Sequence, residues 1–227
     1  EPVTSAVNLP ALMPETAAAL EPFLPLMWLL GYFYMQMFGG SINEIEITYC
    51  GEIAAFPLSP LTASCLTGLL QGIVEVQVNQ VNAPHIARRR GIQIKEASTA
   101  SAKNYRNLIM LTVRGGRKAH CLAGTLLTQG DFRIVQIGDF RIEVVPSRYM
   151  LVTTHHDRPG VVGKVGTLLG EEQVNIASMQ LGRTSVGGQA MMVLQVDDLV
   201  SGKVLKKLEQ LSVVSMARFI ELPEKWL

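Results

Sequence analysis

The segment from His155 to Ile176 carries the residues most able to do chemistry: two adjacent histidines, an aspartate and an Arg-Pro-Gly sequence. On a strand, neighbouring side chains point to opposite faces, so His155 and Asp157 can share a site, whereas His155 and His156 cannot. A His–Asp pair can orient a general base. The chain contains neither a GxSxG motif nor a cysteine-nucleophile signature, so the pattern favours binding over catalysis.

The glycines of this segment do not form a phosphate-binding loop. A P-loop needs GxxxxGK[ST] and a dinucleotide fold needs GxGxxG, and neither motif occurs in the chain. A glycine inside a helix costs about 1 kcal/mol relative to alanine. Their spacing along one side of a helix therefore predicts close packing of another element against Gly160, Gly163, Gly166 and Gly170.

A third interpretation fits better, in which a turn leads into a helix and holds a small zwitterion. Pro159 suits the first turn of a helix, and the N–H groups at a helix start attract a carboxylate. Asp157 offers a negative charge for an ammonium group, and Asn175, after the helix, offers both a donor and an acceptor. Because an amino acid carries both charges, these residues indicate an amino-acid sensor.

The elements that must position these residues follow a βαββαβ order. Hydrophobic periodicity predicts strands at 149–154, 176–183, 189–196 and 213–220 and helices at 159–172 and 201–211. This is the ferredoxin-like arrangement, which predicts a four-stranded antiparallel sheet with both helices on one face.

The preceding residues predict a separate domain, so that the chain is α+β with two domains, 1–146 and 147–227. The first domain is expected to contain an antiparallel sheet. Its predicted helices lie at 14–38 (interrupted by prolines), 59–71 and 83–90, its predicted strands at 42–49 and 74–81, and its predicted hairpins turn at 115–116 and 138–139.

One helix of the first domain is unusually apolar. No charged residue occurs from Pro22 to Asn43, and the most apolar part runs from Phe23 to Phe38. A bilayer span needs about 20 apolar residues, and this shorter run contains proline and glycine, so a membrane span is not expected. Apolar residues on nearly every side predict burial on more than one side, against another subunit or a part of the protein outside this sequence.

Composition narrows the possible partners and compartment. The chain is 48% hydrophobic and 17% charged, with a net charge of +1, which supports a folded core and argues against a nucleic-acid partner. Three isolated cysteines without a CxxC motif predict no metal site and fit a reducing cytoplasm. Because the first residue is Glu1 rather than Met, we expect the chain to be part of a longer protein.

These features together resemble a known enzyme family. The sequence HHDRPG at 155–160, with GKVGTLLGEEQVNI after it, is similar to the ACT domain of bacterial D-3-phosphoglycerate dehydrogenase. The first domain resembles the intervening, or allosteric substrate-binding, domain of the long form of that enzyme. The resemblance rests on AVNLPAL at 6–12, GEIAAF, SPLTASCLTGLL, VNAP at 81–84 and the FRIVQIGDF hairpin.

The resemblance implies the regulatory region of an NAD-dependent oxidoreductase of serine biosynthesis, inactive alone, with the NAD site and catalytic residues in domains outside this sequence. It implies that L-serine, or a similar small amino acid, binds where two ACT domains pair edge to edge in a homodimer or tetramer. The effector-binding positions would be His155, Asp157 and Asn175, with the helix-start amides near Val161 and Val162.

The resemblance also implies an anion or substrate site in the first domain. Several arginine side chains acting together favour a phosphate. The candidates are Arg133 and Arg141 on the second hairpin, followed by Arg88, Arg89, Lys103 and Arg106. Ordinary solvated basic residues are an equally good interpretation of this set.

Three other functions stay open at this point. The chain could be the regulatory part of an iron–sulfur L-serine dehydratase whose cluster is held by a partner chain, since clustered cysteines are absent here. It could be a stand-alone amino-acid sensor, or an oligomerisation module with an inactive ligand site. An upstream GxGxxG motif in the same reading frame would favour the dehydrogenase.

Overall fold

The computed structural model describes residues 14–116 and 118–224, so the AVNLPAL motif at 6–12 lies outside them. The helices of these residues are α1 (Pro14–Leu20), α2 (Leu24–Met37), α3 (Ser59–Leu70), α4 (Ala83–Arg89), α5 (Val161–Glu171) and α6 (Gly202–Gln210). The strands are β1 (Glu44–Gly51), β2 (Gln93–Thr99), β3 (Asn107–Gly115), β4 (Lys118–Thr128), β5 (Asp131–Ile137), β6 (Phe140–Val144), β7 (Tyr149–His156), β8 (Ile176–Arg183), β9 (Gln189–Val196) and β10 (Val214–Glu221).

The first sheet is six-stranded, with the order β2-β1-β3-β4-β5-β6. The prediction of an antiparallel sheet is wrong at one edge, because β1 and β2 run parallel, with Ile45 beside Ile94. The cause is the connection between them, since α3 and α4 form a crossover that returns the chain in the same direction. The other neighbours are antiparallel, and the two predicted hairpins join β3 to β4 and β5 to β6.

The predicted strand at 74–81 does not form. Its valines alternate with polar residues, yet Val76 is 61% exposed and Val81 is 50% exposed. The Asn79 carboxamide oxygen accepts hydrogen bonds from the backbone N–H groups of Val81 and Asn82, and the Asn82 oxygen accepts one from Asn79. Such local side-chain bonds satisfy the backbone in a turn and compete with pairing in a sheet.

The second sheet is four-stranded and antiparallel, with the order β10-β7-β9-β8. This order, with α5 and α6 on one face, confirms the ferredoxin-like prediction. A local sequence signal determines where α6 begins: the Ser201 hydroxyl oxygen accepts a hydrogen bond from the Val204 N–H at the start of this helix. The predicted boundary at 146–147 falls in the connection between β6 and β7.

Helix α2 lies between the two sheets. On one side, Leu26 and Leu30 pack against β4 at Gly124. On the other side, residues from the helix-free face of the second sheet, including Val152 and Ile220, belong to the same buried cluster as α2. The predicted burial on more than one side is therefore confirmed, but the expected cover by another subunit or by a part outside this sequence is wrong, because the chain supplies both surfaces itself.

The contact between α2 and the second sheet also has a polar component. The Gln36 carboxamide donates to the Glu221 carbonyl oxygen at 2.9 Å and accepts the Glu221 N–H at 3.0 Å. The Gln36 side chain thus forms hydrogen bonds with both backbone groups of Glu221 on the outer edge of β10. The helical stretch Pro14–Met37 is long and apolar enough to span a membrane by length and composition, and half of its most apolar window is buried in this fold.

Helices α2 and α3 approach each other through a pair of glycines. A Cβ atom built on Gly31 would lie 2.7 Å from the Leu69 nitrogen and still closer to the Cys65 carbonyl oxygen. A Cβ atom on Gly68 would lie 2.9 Å from the Trp28 carbonyl carbon. Real Cβ atoms do not approach backbone this closely, so the helix separation depends on glycine at both positions.

Candidate functional site

His155 lies on β7 and faces the helices of the second domain. Leu151, four residues earlier and on the same face, packs in the buried cluster with Val161 and Leu208 of the two helices. The His155 side chain is only 2% exposed, and among the described residues its Nδ1 atom has no hydrogen-bond partner. A buried nitrogen without a partner is costly and is suited to a ligand or a water. Thr153, on the same face, has a buried Oγ1 in the same condition.

Burial lowers the pKa of His155 below its usual value of 6.5, and the nearby Asp157 charge opposes this shift. The ring is therefore neutral at pH 7. The unfolded chain binds a proton at higher pH than the folded chain, so the free energy of unfolding should decrease as the pH falls through 6.5. Thermal unfolding of the wild type and His155→Gln between pH 8.0 and 5.5 checks this, because the variant should lose less stability on acidification. An equal loss in both proteins would contradict the prediction.

Asp157 follows β7 and is already held by protein donors. Its Oδ2 atom accepts an Arg183 N–H at 3.1 Å and the Gly187 backbone N–H at 3.2 Å. The Gly187 hydrogen bond, and after it the Arg183 side chain, lower the pKa of the Asp157 carboxyl. The carboxylate is therefore charged at neutral pH and fixed beside the turn between β8 and β9.

Arg183 was missed by the sequence analysis. It lies at the end of β8, 26 residues from Asp157 in the chain. Both β7 and β8 are antiparallel to β9, so they run in the same direction and their last residues meet at one end of the sheet. The sequence signal that could have identified Arg183 is its position as a basic residue at the end of the strand that runs parallel to β7.

Helix α5 begins at Val161, later than the predicted start at Pro159. Gly160 is its N-cap with a φ of 85°, and this left-handed conformation cannot continue a helix. Val161 is buried and donates to the Arg158 carbonyl oxygen at 3.5 Å, whereas Val162 is 41% exposed. First-turn N–H groups have no intrahelical acceptor, so this helix start presents donors beside the Asp157 loop.

Asn175 lies at the other end of the sheet. It immediately precedes β8, whereas Arg183 ends that strand, and its side-chain amide donates to Asp197 Oδ2 at 2.6 Å. A strand of this length spans about 25 Å at roughly 3.3 Å per residue. The chain therefore brings together His155, Asp157 and the start of α5, but it does not bring Asn175 to them.

The predicted close packing along α5 is wrong within this chain. Cβ atoms built on Gly163, Gly166 and Gly170 meet nothing within 4 Å, so that side of the helix is uncovered by the described residues. Close helix packing occurs instead between α2 and α3, at Gly31 and Gly68. Helices α2 and α3 each contain a single glycine, so no glycine spacing marks this contact, and the tertiary arrangement alone reveals it.

The six basic residues predicted for an anion site are distributed over several elements. Arg133 contacts Asp131 and lies 3.8 Å from Glu143. Arg141 is exposed on β6, where it pairs with Gln136 near the hairpin turn and away from Arg133.

The other four basic residues divide into two pairs. Arg106 pairs with Glu52 at 2.8 Å, and Lys103 lies nearby in the β2–β3 connection with a φ of 57°. Arg88 and Arg89 end α4, and of these two Arg88 lines a cavity that also contains Glu96.

Comparison with known proteins shows similarity along almost the whole chain. Residues 19–138 match the model of the D-3-phosphoglycerate dehydrogenase intervening domain, and residues 149–213 match the ACT domain. The chain is 38% identical over 97% of its length to the D-3-phosphoglycerate dehydrogenase of Synechocystis sp. and covers 40% of that protein. It is 34% identical over 98% of its length to the enzyme of Bacillus subtilis and covers 42% of it.

A more distant relative gives the same coverage. The chain is 29% identical to the chloroplastic D-3-phosphoglycerate dehydrogenase 3 of Arabidopsis thaliana, over 98% of its own length and 40% of the relative. The chain thus spans about 40% of the length of the curated relatives it matches.

Proposed function

Because the chain belongs to the D-3-phosphoglycerate dehydrogenase family, with an intervening domain followed by an ACT domain, we propose that it binds a small amino acid between the ACT domains of two copies. L-serine is the proposed ligand, as the end product that restrains an NAD-dependent dehydrogenase of serine biosynthesis. The observation that carries the proposal is the position of Asp157 and Asn175 at opposite ends of the second sheet.

Pairing of two copies through β8 accounts for this separation. The strand is an edge of its sheet, and a two-fold axis makes two copies of one strand antiparallel. Antiparallel pairing places the start of one β8 beside the end of the other. Asn175 of one copy then approaches Asp157 and Arg183 of the other, and a dimer contains two equivalent sites.

The surface beside β8 supports this association. Met179 and Leu181 are 39% and 43% exposed, and they pair with Leu194 and Met192 of β9 on the helix face. The uncovered glycine side of α5 and the exposed Val162 belong to the same domain. An edge strand with exposed apolar side chains favours pairing with another strand.

The charges of the site favour a zwitterion over a simple amine or acid. Asp157 attracts an ammonium group, but Arg183 already compensates part of its charge at 3.1 Å. A ligand that also carries a carboxylate places it beside Arg183 and the first-turn amides of α5. Both ligand charges are then compensated by opposite charges of the site. The unpartnered Nδ1 of His155 supplies one further hydrogen bond.

Such a ligand controls assembly by differential affinity. Because half of the site comes from each copy, an amino acid binds the paired arrangement more tightly than the separated chains, and it shifts the population toward pairs. The amino acid thereby favours one subunit arrangement of the parent enzyme.

The test combines calorimetric titration with L-serine and sedimentation velocity, in the wild type and in Leu181→Asp. We expect serine to bind the wild type with one molecule per chain and to increase its association. Leu181→Asp should abolish pairing and weaken serine binding at least tenfold, because a charge opposes an apolar contact. Leu127→Asp, at an exposed apolar residue of the first domain, is the matched control and should behave as the wild type.

Glycine and D-serine serve as ligand controls for this titration. Serine binding that survives Leu181→Asp with unchanged affinity would contradict the shared site. Absence of serine binding to the wild type would overturn the choice of ligand, and selective binding of glycine would redirect it.

A further inference from the structure

We propose that the first domain contains a second small-molecule site, which takes an α-amino acid with an aliphatic side chain. The site is a cavity of about 480 Å³ between α3, α4 and β2. Cavities of this size are within the range that binds small ligands. The proposal goes beyond the ACT-domain site, shares no residue with it and does not depend on it.

Three elements each turn one face toward the cavity. Spacings of three and four residues on a helix, and of two on a strand, keep side chains on one face. Helix α3 contributes Ser59, Thr62 and Leu66, helix α4 contributes Pro84 and Arg88, and Ile92, Ile94 and Glu96 come from β2 and the residue before it. The concavity is therefore built from regular elements and does not rely on a loop.

A directed chain of hydrogen bonds fixes one charge at this cavity. Thr62 is buried and donates its hydroxyl hydrogen to Glu96. The Thr62 oxygen is then the acceptor for Tyr49, whose hydroxyl lies 2.8 Å away. Burial raises the pKa of Tyr49, so it keeps its proton and donates. Glu96 is thus oriented by two residues of the core although it is itself exposed.

The opposite charge comes from Arg88. Arg88 and Glu96 line the same cavity, yet among the ion pairs of residues 14–116 and 118–224 none joins these two. Two opposite charges that share a cavity without pairing with each other are each able to bind one end of a zwitterion. A lone anion meets repulsion from Glu96 and a lone cation meets repulsion from Arg88, whereas an α-amino acid presents both charges on neighbouring atoms.

The remaining wall selects the side chain of the ligand. Ile94 and Pro84 are partly exposed and supply the apolar surface of this wall, and the buried Leu66 and Ile92 also line the cavity. Burying a Val or Leu side chain against such a surface removes apolar area from water and favours binding. A serine side chain gains little from this wall, so the two proposed sites differ in their preferred amino acid.

The experiment uses the whole chain carrying Asp157→Ala, so that the ACT-domain site is inactive, with L-valine and L-leucine as calorimetric probes. We expect one of these amino acids to bind at one molecule per chain. Arg88→Gln and Glu96→Gln should each weaken binding at least tenfold. Arg89→Gln is the matched control, since Arg89 lies on the same helix outside the cavity, and it should leave binding unchanged. Thermal unfolding confirms that each variant is folded.

The Glu96→Gln variant also separates a zwitterion site from an anion site. Titration with inorganic phosphate provides the comparison, because removal of the carboxylate should strengthen the binding of an anion. Phosphate binding that Glu96→Gln strengthens, without aliphatic amino-acid binding, would overturn the proposal in favour of an anion site. Failure of both aliphatic probes to bind, or equal losses in Arg88→Gln and Arg89→Gln, would also overturn it. Loss of serine binding in the Asp157→Ala chain tests the ACT-domain site alone, so the outcomes for the two proposed sites are distinguishable.

Discussion

Replacing Gly31 with alanine is expected to lower the free energy of unfolding by about 3 kcal/mol. The new methyl group would overlap the backbone of α3 at Cys65 and Leu69, and overpacking of a tight core typically costs about 1–3 kcal/mol. The backbone of a helix cannot move aside as a flexible side chain can, which places the cost at the upper end. Urea unfolding, with the midpoint compared at an unchanged slope, measures the difference.

The matched control for this change is Gly163→Ala. A Cβ atom at Gly163 meets nothing within 4 Å, so alanine should raise the free energy of unfolding by about 1 kcal/mol through its helix propensity alone. The same substitution in two helices should thus have opposite signs. Gly31→Ala with wild-type stability would show that α2 and α3 are not in backbone contact.

Replacing Asp157 with alanine is expected to weaken L-serine binding by about 10- to 100-fold, the range for loss of a charge-assisted hydrogen bond. The change removes the acceptor for the ligand ammonium group and also releases Arg183 and the Gly187 amide. Asp157→Asn keeps an oxygen acceptor without the charge, so its loss should be smaller. Calorimetry at pH 7.5 measures all three affinities.

Asp139→Ala, at an exposed carboxylate in the β5–β6 turn, is the control for a general change in charge. It should leave the serine affinity unchanged. An Asp157→Ala chain that is folded and binds serine as tightly as the wild type would remove Asp157 from the site.

The second domain was predictable because its signals are local. Its strands are short apolar segments bounded by turn residues, and Ser201 caps α6 through its own hydroxyl. The site around His155 and Asp157 follows from the same local pattern. Residues separated by two positions at the end of a strand share a face, whatever the rest of the chain does.

The failures of prediction have both local and long-range causes. The segment 74–81 has the alternation of a strand, but local bonds of Asn79 and Asn82 hold it in a turn. The parallel pairing of β2 depends on a crossover that no short window reveals. The strand directions place Asn175 and Asp157 at opposite ends of the sheet, and no local pattern reveals this separation.

The position of α2 also makes the two domains one folding unit. Its side chains form the core of the first domain and cover Val152 and Ile220 of the second sheet, so neither domain has a complete hydrophobic interior without the other. Separation of the domains would expose two apolar surfaces to water at once, which is costly in free energy. The chain should therefore melt in a single transition. Both ligand sites require the same folded state of the chain. Ligand binding at the edge of the ACT domain therefore also stabilises the cavity beside β2, and binding at the cavity stabilises the ACT-domain site.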